Sequence, residues 1–115
     1  MTMIKPVNTW VGQIFVGLRS EYSNIVHPIN VVKDVCHEFV DEIGLCVTVT
    51  TTEFIYTGGE EPGAIIGFIN YPRFPMEPDD LEDRIFALAS RLKSCLGQLR
   101  VTIVMPDKTV TLGDY

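Results

Sequence analysis

The sequence predicts an α+β domain: one antiparallel sheet with two helices on one face. Three observations predict it. Apolar residues switch along the chain between strand spacing and helix spacing. The segments so defined follow in the order β-α-β-β-α-β. With 115 residues, 46% of them hydrophobic, the chain is sized for one domain around one core. That order is the ferredoxin-like signature, two split βαβ units merged into one sheet, so a single domain is expected over residues 1–115.

Each element has its own local reason. In residues 10–19, Trp10, Gly12, Ile14, Val16 and Leu18 share one face. Val11, Gln13, Phe15, Gly17 and Arg19 share the other, the alternation of a strand. Ser20 to Pro28 is polar and proline-ended, hence a loop. With Asn30 as N-cap, Val32, Val35, Cys36, Phe39, Val40 and Ile43 recur at helical spacing, and Gly44 closes the helix. Leu45 to Tyr56 is rich in β-branched and aromatic residues and reads as a second strand; Ala64 to Tyr71 reads as a third. Thr57 to Gly63 between them reads as a long hairpin tip, beyond the two-residue turns. Pro72, Pro75 and Pro78 stop any ladder. Pro78 suits a first helical turn, and Asp79-Asp80 suit the positive end of the helix dipole. Leu81, Ile85, Leu88, Ala89, Leu92, Cys95 and Leu96 form the stripe of a second helix, closed by Gly97. Leu99 to Met105 is a fourth strand. Lys108 to Leu112, after a Pro106-Asp107 turn, can add a short extra strand.

Composition excludes several functions. A net charge of −6 argues against general nucleic-acid binding, while a few arginines could still gather a small anion. No apolar run reaches the length of a membrane span, and Met1 to Pro6 does not start a signal peptide. Cys36, Cys46 and Cys95 sit in apolar runs at unrelated spacings, which predicts reduced core thiols in a cytoplasmic protein. His27 and His37 have no ligand partner at metal-binding spacing, so neither metal nor cofactor is expected. Cys36 and His37 diverge by about 100° on a helix and cannot work as a pair. No nucleophile-elbow motif is present. Glu60-Glu61 and Asp79-Asp80 occupy ordinary places for solvated acids. The chain is therefore expected not to be an enzyme.

Both faces of the predicted sheet carry apolar residues. Ile14, Val16 and Leu18 oppose Val11 and Phe15; Ile66 and Phe68 oppose Ile65 and Ile69. Helices can cover only one face, so a second copy is expected on the other, making a homo-oligomer, a dimer or an assembly of dimers. The alternative is a C-terminal segment folded back across it.

One combination of residues suits a nucleotide. Tyr56, Thr57, Gly58 and Gly59 offer an aromatic face, a hydroxyl and close backbone donors. Asn70, Tyr71, Arg73 and Phe74 follow the other strand of that hairpin, with an amide, stacking surface and a guanidinium for phosphate. Arg19 and Arg100 are further cations for the same site. The structural reading of the same residues is equally simple: proline-stiffened turns that plug a core. Arg84 and Arg91, seven apart, flank the stripe of the second helix and are expected to snorkel.

Val7-Asn8-Thr9-Trp10-Val11-Gly12-Gln13, Gly44 to Thr50, Tyr56 to Gly59 and Ile69 to Pro75 resemble a family of small phage and prophage proteins, the Thoeris anti-defence type 1 sponges. The resemblance covers most of the chain and places no binding residue. It implies sequestration, without turnover, of a cyclic ADP-ribose isomer made by a TIR-domain defence enzyme. It also implies oligomers built from dimers, with added sites for cyclic oligonucleotides. Two other classes stay open on the residues alone. One is an oligomeric interaction module with no small-molecule site. The other is a small oligomeric enzyme with a site between subunits, using Arg73 as an anion clamp and Tyr56 or Glu53 as acid or base.

Overall fold

A computed structural model describes residues 1–113. The elements run β1 (Val11–Gly17), α1 (Ile29–Ile43), β2 (Thr48–Tyr56), β3 (Gly59–Ile69), α2 (Pro78–Cys95), β4 (Arg100–Val104) and β5 (Thr109–Gly113). One sheet of order β2-β3-β1-β4-β5 holds all five strands, every pair antiparallel. This is the expected ferredoxin-like arrangement with its extra strand. Because β5 pairs with β4, it widens the sheet instead of folding over its open face.

Register decides what each face buries. Ile14 lies between Ile66 and Ile103, and Val16 opposite Ala64. These side chains face the helices and are fully buried with Phe68 and Val101. Val32, Cys36 and Phe39 of α1 and Leu81, Ile85, Leu88, Ala89 and Leu92 of α2 close the layer. Each large side chain taken out of water contributes about 1.5–3 kcal/mol. On the other face lie Val11, Phe15, Phe54, Ile65 and Ile69, and Val11 and Ile69 remain 50% and 40% exposed. No element among the described residues covers that face.

Four local expectations need correction. Tyr56 pairs with Gly59, so the hairpin loop is only Thr57-Gly58, with Gly58 at φ 88° where a side chain would be strained. β3 therefore starts well before Ala64. Pro62 does not end it, because its missing N–H faces β1 at the point where that ladder stops. Helix α1 starts at Ile29 behind Pro28, which makes no side-chain cap bond, so Asn30 lies inside the first turn. Of the three thiols, Cys36 is buried but Cys46 and Cys95 are exposed. Leu96, one position on from Cys95, takes the core place.

Arg91 follows the expected surface role. It bonds Glu42 at 2.7 Å and lies over the Phe39 ring at 5.2 Å, tying the two helices. The guanidinium holds the Glu42 carboxyl below its usual range. Burial pushes the Cys36 thiol up to about 11. A raised thiol pKa means that the folded state prefers the neutral form. Its stability contribution is complete below the unfolded value near 9 and is lost as pH rises through about 11. Cys36→Ala is expected to cost about 1–3 kcal/mol at pH 7. It should also flatten the decline in stability between pH 9 and 11, read by denaturant titration at several pH values. A decline of unchanged steepness in the variant would assign it to another group.

Candidate functional site

The structure divides the predicted binding residues between the two ends of β3. Tyr56 to Gly59 form the tip where β3 begins, and Asn70 to Phe74 follow where it ends. Ten residues of strand, Glu60 to Ile69, separate them, roughly 33 Å of rise, so one chain cannot bring both groups to one ligand. Arg19 and Arg100 go with the tip end, just beyond Gly17 and at the start of β4.

At the Asn70 end the side chains are largely committed to the chain itself. The Asn70 amide donates to the Asn8 carbonyl at 2.9 Å, and its oxygen accepts from the Met76 N–H at 3.0 Å. Asn70 thus clasps the N-terminal segment to the approach to α2. The Tyr71 hydroxyl is engaged with Cys46, which together with burial raises its pKa. Arg73 stands exposed with its guanidinium 5.6 Å from the Phe74 ring. A cavity of about 660 Å³ opens beside them, but its charged lining is Glu77 and Asp80. Two carboxylates make a poor seat for an anionic nucleotide.

The tip end has a different character. β1 stops at Gly17, which pairs with Gly63, while β2 and β3 run on as a two-stranded ribbon. A side chain at Gly63 would collide with the Phe54 ring, which lies across it. A β-carbon at Gly17 would stand 2.9 Å from Gln98 Oε1 and 3.5 Å from Glu61 Oε1. Both glycines are buried, and their missing side chains make room for an amide oxygen, a carboxylate and an aromatic ring that close over the paired backbone. Phe15 extends the aromatic surface, its centroid 6.5 Å from that of Phe54. Tyr56 folds back over Gly59, its ring carbon 2.9 Å from where a β-carbon would be.

Gln98 is held firmly. Its Nε2 donates to the Arg19 carbonyl at 2.7 Å and the Leu96 carbonyl at 3.3 Å, which aims Oε1 at Gly17. Glu21 accepts from the Leu99 N–H at 2.6 Å and gives its own N–H to Gly97. Gln98 and Ser20 are the two buried polar residues among the described ones, 4% and 6% exposed, and both lie at this end. Polar groups buried and positioned in an otherwise apolar core are the informative exception to hydrophobic burial. No group of three or more potential metal ligands occurs among the described residues.

Sequence reasoning reached Tyr56 to Gly59 and Arg19 but missed Gln98 and passed over Glu61 as a solvated acid. The available signal was Glu61-Pro62-Gly63: a carboxylate beside a proline and a glycine where the second and third strands part.

No protein-family model matches the chain, and no curated protein matches it. Solved structures do. A phage SAM lyase in complex with S-methyl-5′-thioadenosine is similar with a TM-score of 0.80 at 17% identity, covering 99% of this chain and 96% of that one. The same kind of protein, phage SAM lyase in its apo state, gives 0.78 at 18% identity, with 98% and 97% covered. A de novo designed protein, Foldit4, gives 0.51 at 15% identity, with 88% and 99% covered. The likeness to the lyase runs over nearly the whole length and establishes the fold. It corrects the expectation of a chain that is not an enzyme, since the natural proteins sharing this fold here are lyases. The cyclic ADP-ribose sponge finds no counterpart among them. No helix among the described residues is long and apolar enough to cross a membrane.

Replacing Asn70 by alanine removes both halves of the clasp. It should cost about 1–3 kcal/mol in urea unfolding and loosen residues 6–8 to proteolysis. Unfolding at wild-type urea concentration with residues 6–8 equally protected would show that the clasp contributes nothing.

Proposed function

We propose that the chain is a small lyase that cleaves S-adenosylmethionine at the tip end of the sheet, releasing S-methyl-5′-thioadenosine. The observation that carries this reading is the convergence of Glu61, Gln98 and Phe54 over the buried Gly17–Gly63 pair, in a fold shared with phage SAM lyase. An adenosine presents a flat base for an aromatic wall and hydroxyls for a carboxylate and an amide. Glycines at the floor let these three side chains converge on one spot.

Charge supports the substrate. A net charge of −6 is awkward for a bisphosphate ligand, but it favours a sulfonium cation, which an acidic surface attracts. The bond to break joins the sulfonium sulfur to the aminobutyryl chain. Sulfur keeps the electron pair and leaves as a neutral thioether. The fragment's own carboxylate can close on the carbon left behind, so the step consumes no water and takes no proton from the protein. The protein's work is then to hold the adenosine, orient the chain and exclude water. In this reading Tyr56 and Glu61 supply ligand contacts on the ribbon, Gln98 holds the floor, and Arg19 and Arg100, at the same end of the sheet, are the cations assigned to the substrate carboxylate. A protein of this kind, acting on a small metabolite in the cytoplasm of a phage-infected cell, keeps the coarser expectation of counter-defence while replacing its cyclic nucleotide. The open apolar sheet face supports a homo-oligomer here as well.

The test is incubation with S-adenosylmethionine followed by separation of the products. S-methyl-5′-thioadenosine should accumulate as substrate disappears. Glu61→Gln and Gln98→Ala should each lower kcat/KM by about ten- to a hundredfold or more, from loss of one charge-assisted or buried hydrogen bond. Arg73→Ala, at the far end, should leave turnover unchanged. Unaltered substrate would remove the lyase reading, and intact retention of a cyclic ADP-ribose isomer would restore the sponge.

A further inference from the structure

We infer that the chain pairs with a second copy of itself through the free edge of β2, in an antiparallel register centred on Thr51. β2 is the outermost strand on its side of the sheet. It is nine residues long, with no proline and Glu53 as its single charge. Edge strands of that length are normally shortened, charged or covered, because their unpaired N–H and C=O groups template another strand. The opposite edge, β5, is only five residues.

The direction of the free backbone groups follows from the ladder. The Pro62 carbonyl accepts from the Leu18 N–H, so the even-numbered residues of β3 turn toward β1. Their partners in β2 are Glu53 opposite Pro62 and Thr51 opposite Ala64. By antiparallel alternation these partners turn the other way. Val49, Thr51, Glu53 and Ile55 therefore aim their N–H and C=O groups at the open edge, and their side chains face the helix layer.

Beside that edge lies an apolar groove of about 230 Å³ between α1 and β2, walled by Val40, Leu45, Val47 and Val49 with Lys33 and His37 on its rim. Both basic residues of α1 stand there, while Glu38 and Glu42 face the groove on the α2 side. A two-fold pairing centred on Thr51 sets Glu53 of one copy opposite Val49 of the other, and Ile55 opposite Val47. Ile55 is 80% exposed in the single chain. In the pair it enters the apolar groove, and Glu53 arrives beside Lys33 and His37. One register thus places the unpaired edge, the empty groove, the bare isoleucine and the basic rim against their complements, and does so twice by symmetry.

Cross-linking tests the register. In a Cys46→Ser/Cys95→Ser background, Thr50→Cys and Thr52→Cys proteins are oxidised separately and as a mixture. Thr50 faces Thr52 of the other copy in a pair with Cα atoms about 4.5 Å apart, within disulfide reach. The disulfide dimer should form in the mixture and not in either variant alone. Ile55→Lys should raise the dimer dissociation constant at least tenfold by sedimentation, with an unchanged circular dichroism spectrum. Glu53→Lys should weaken the dimer, and added Lys33→Glu should restore it. Cross-links that form equally in the separate variants, a wild-type monomer at micromolar concentration, or an Ile55→Lys protein that assembles normally would each overturn the proposal.

Discussion

The arrangement depends on where β3 parts from β1. At Pro62 the third strand can accept from Leu18 but has no N–H to return. The Leu18 carbonyl takes the His27 N–H instead, at 2.8 Å. One missing donor thus lets the segment after β1 wedge beside it, anchored by the Arg19–Val26 bridge, while β2 and β3 continue as a ribbon. The molecule is correspondingly long, 52 × 27 × 22 Å with a radius of gyration of 15.1 Å, against about 13 Å for a round domain of about 100 residues. A two-stranded ribbon has little stability of its own, so the aromatic rings laid over its glycines and its contacts with other molecules matter more than they would inside a sheet.

That parting also gathers the buried polar groups of this end. Where the strands separate, Gly17 and Gly63 leave room for the Phe54 ring and for Glu61 on the ribbon, and the loops around residues 20–24 and 97–99 close in with Gln98. The other end of β3 is built to opposite specifications. Asn70 ties down the N-terminal segment, and the cavity there is lined by acids at the start of α2. One end therefore gathers positioned polar groups and an aromatic ring over paired glycines, and the other uses its polar groups to hold the chain together.

Much of this was legible in the sequence, and the exceptions have physical reasons. Alternation along Trp10 to Leu18 and the stripe from Leu81 to Leu92 led to the right elements because those patterns record which side meets the core. Proline and glycine at 62 and 63 look like a turn in the sequence, whereas in the fold they mark a ladder that ends on one side only. Cys95 continues the helical stripe and so reads as a core residue, but the chain turns at Gly97 and Leu96 is the side chain that faces inward. Asn70 looked like a ligand amide because its partners, Asn8 and Met76, are brought to it only by folding. Gln98 lies just after a helix and belongs to no motif; its significance rests on its burial and on the room that Gly17 leaves for its amide oxygen.

The central claim is that small adenosine compounds bind at the tip end of the sheet. Titrating ¹⁵N-labelled protein with S-methyl-5′-thioadenosine tests it most directly. Backbone shifts should concentrate at Gly17, Glu61, Gly63, Gln98 and the ribbon, and saturate. Shifts gathered instead at Asn70 to Phe74, with Gly17 and Gly63 unmoved, would contradict the account.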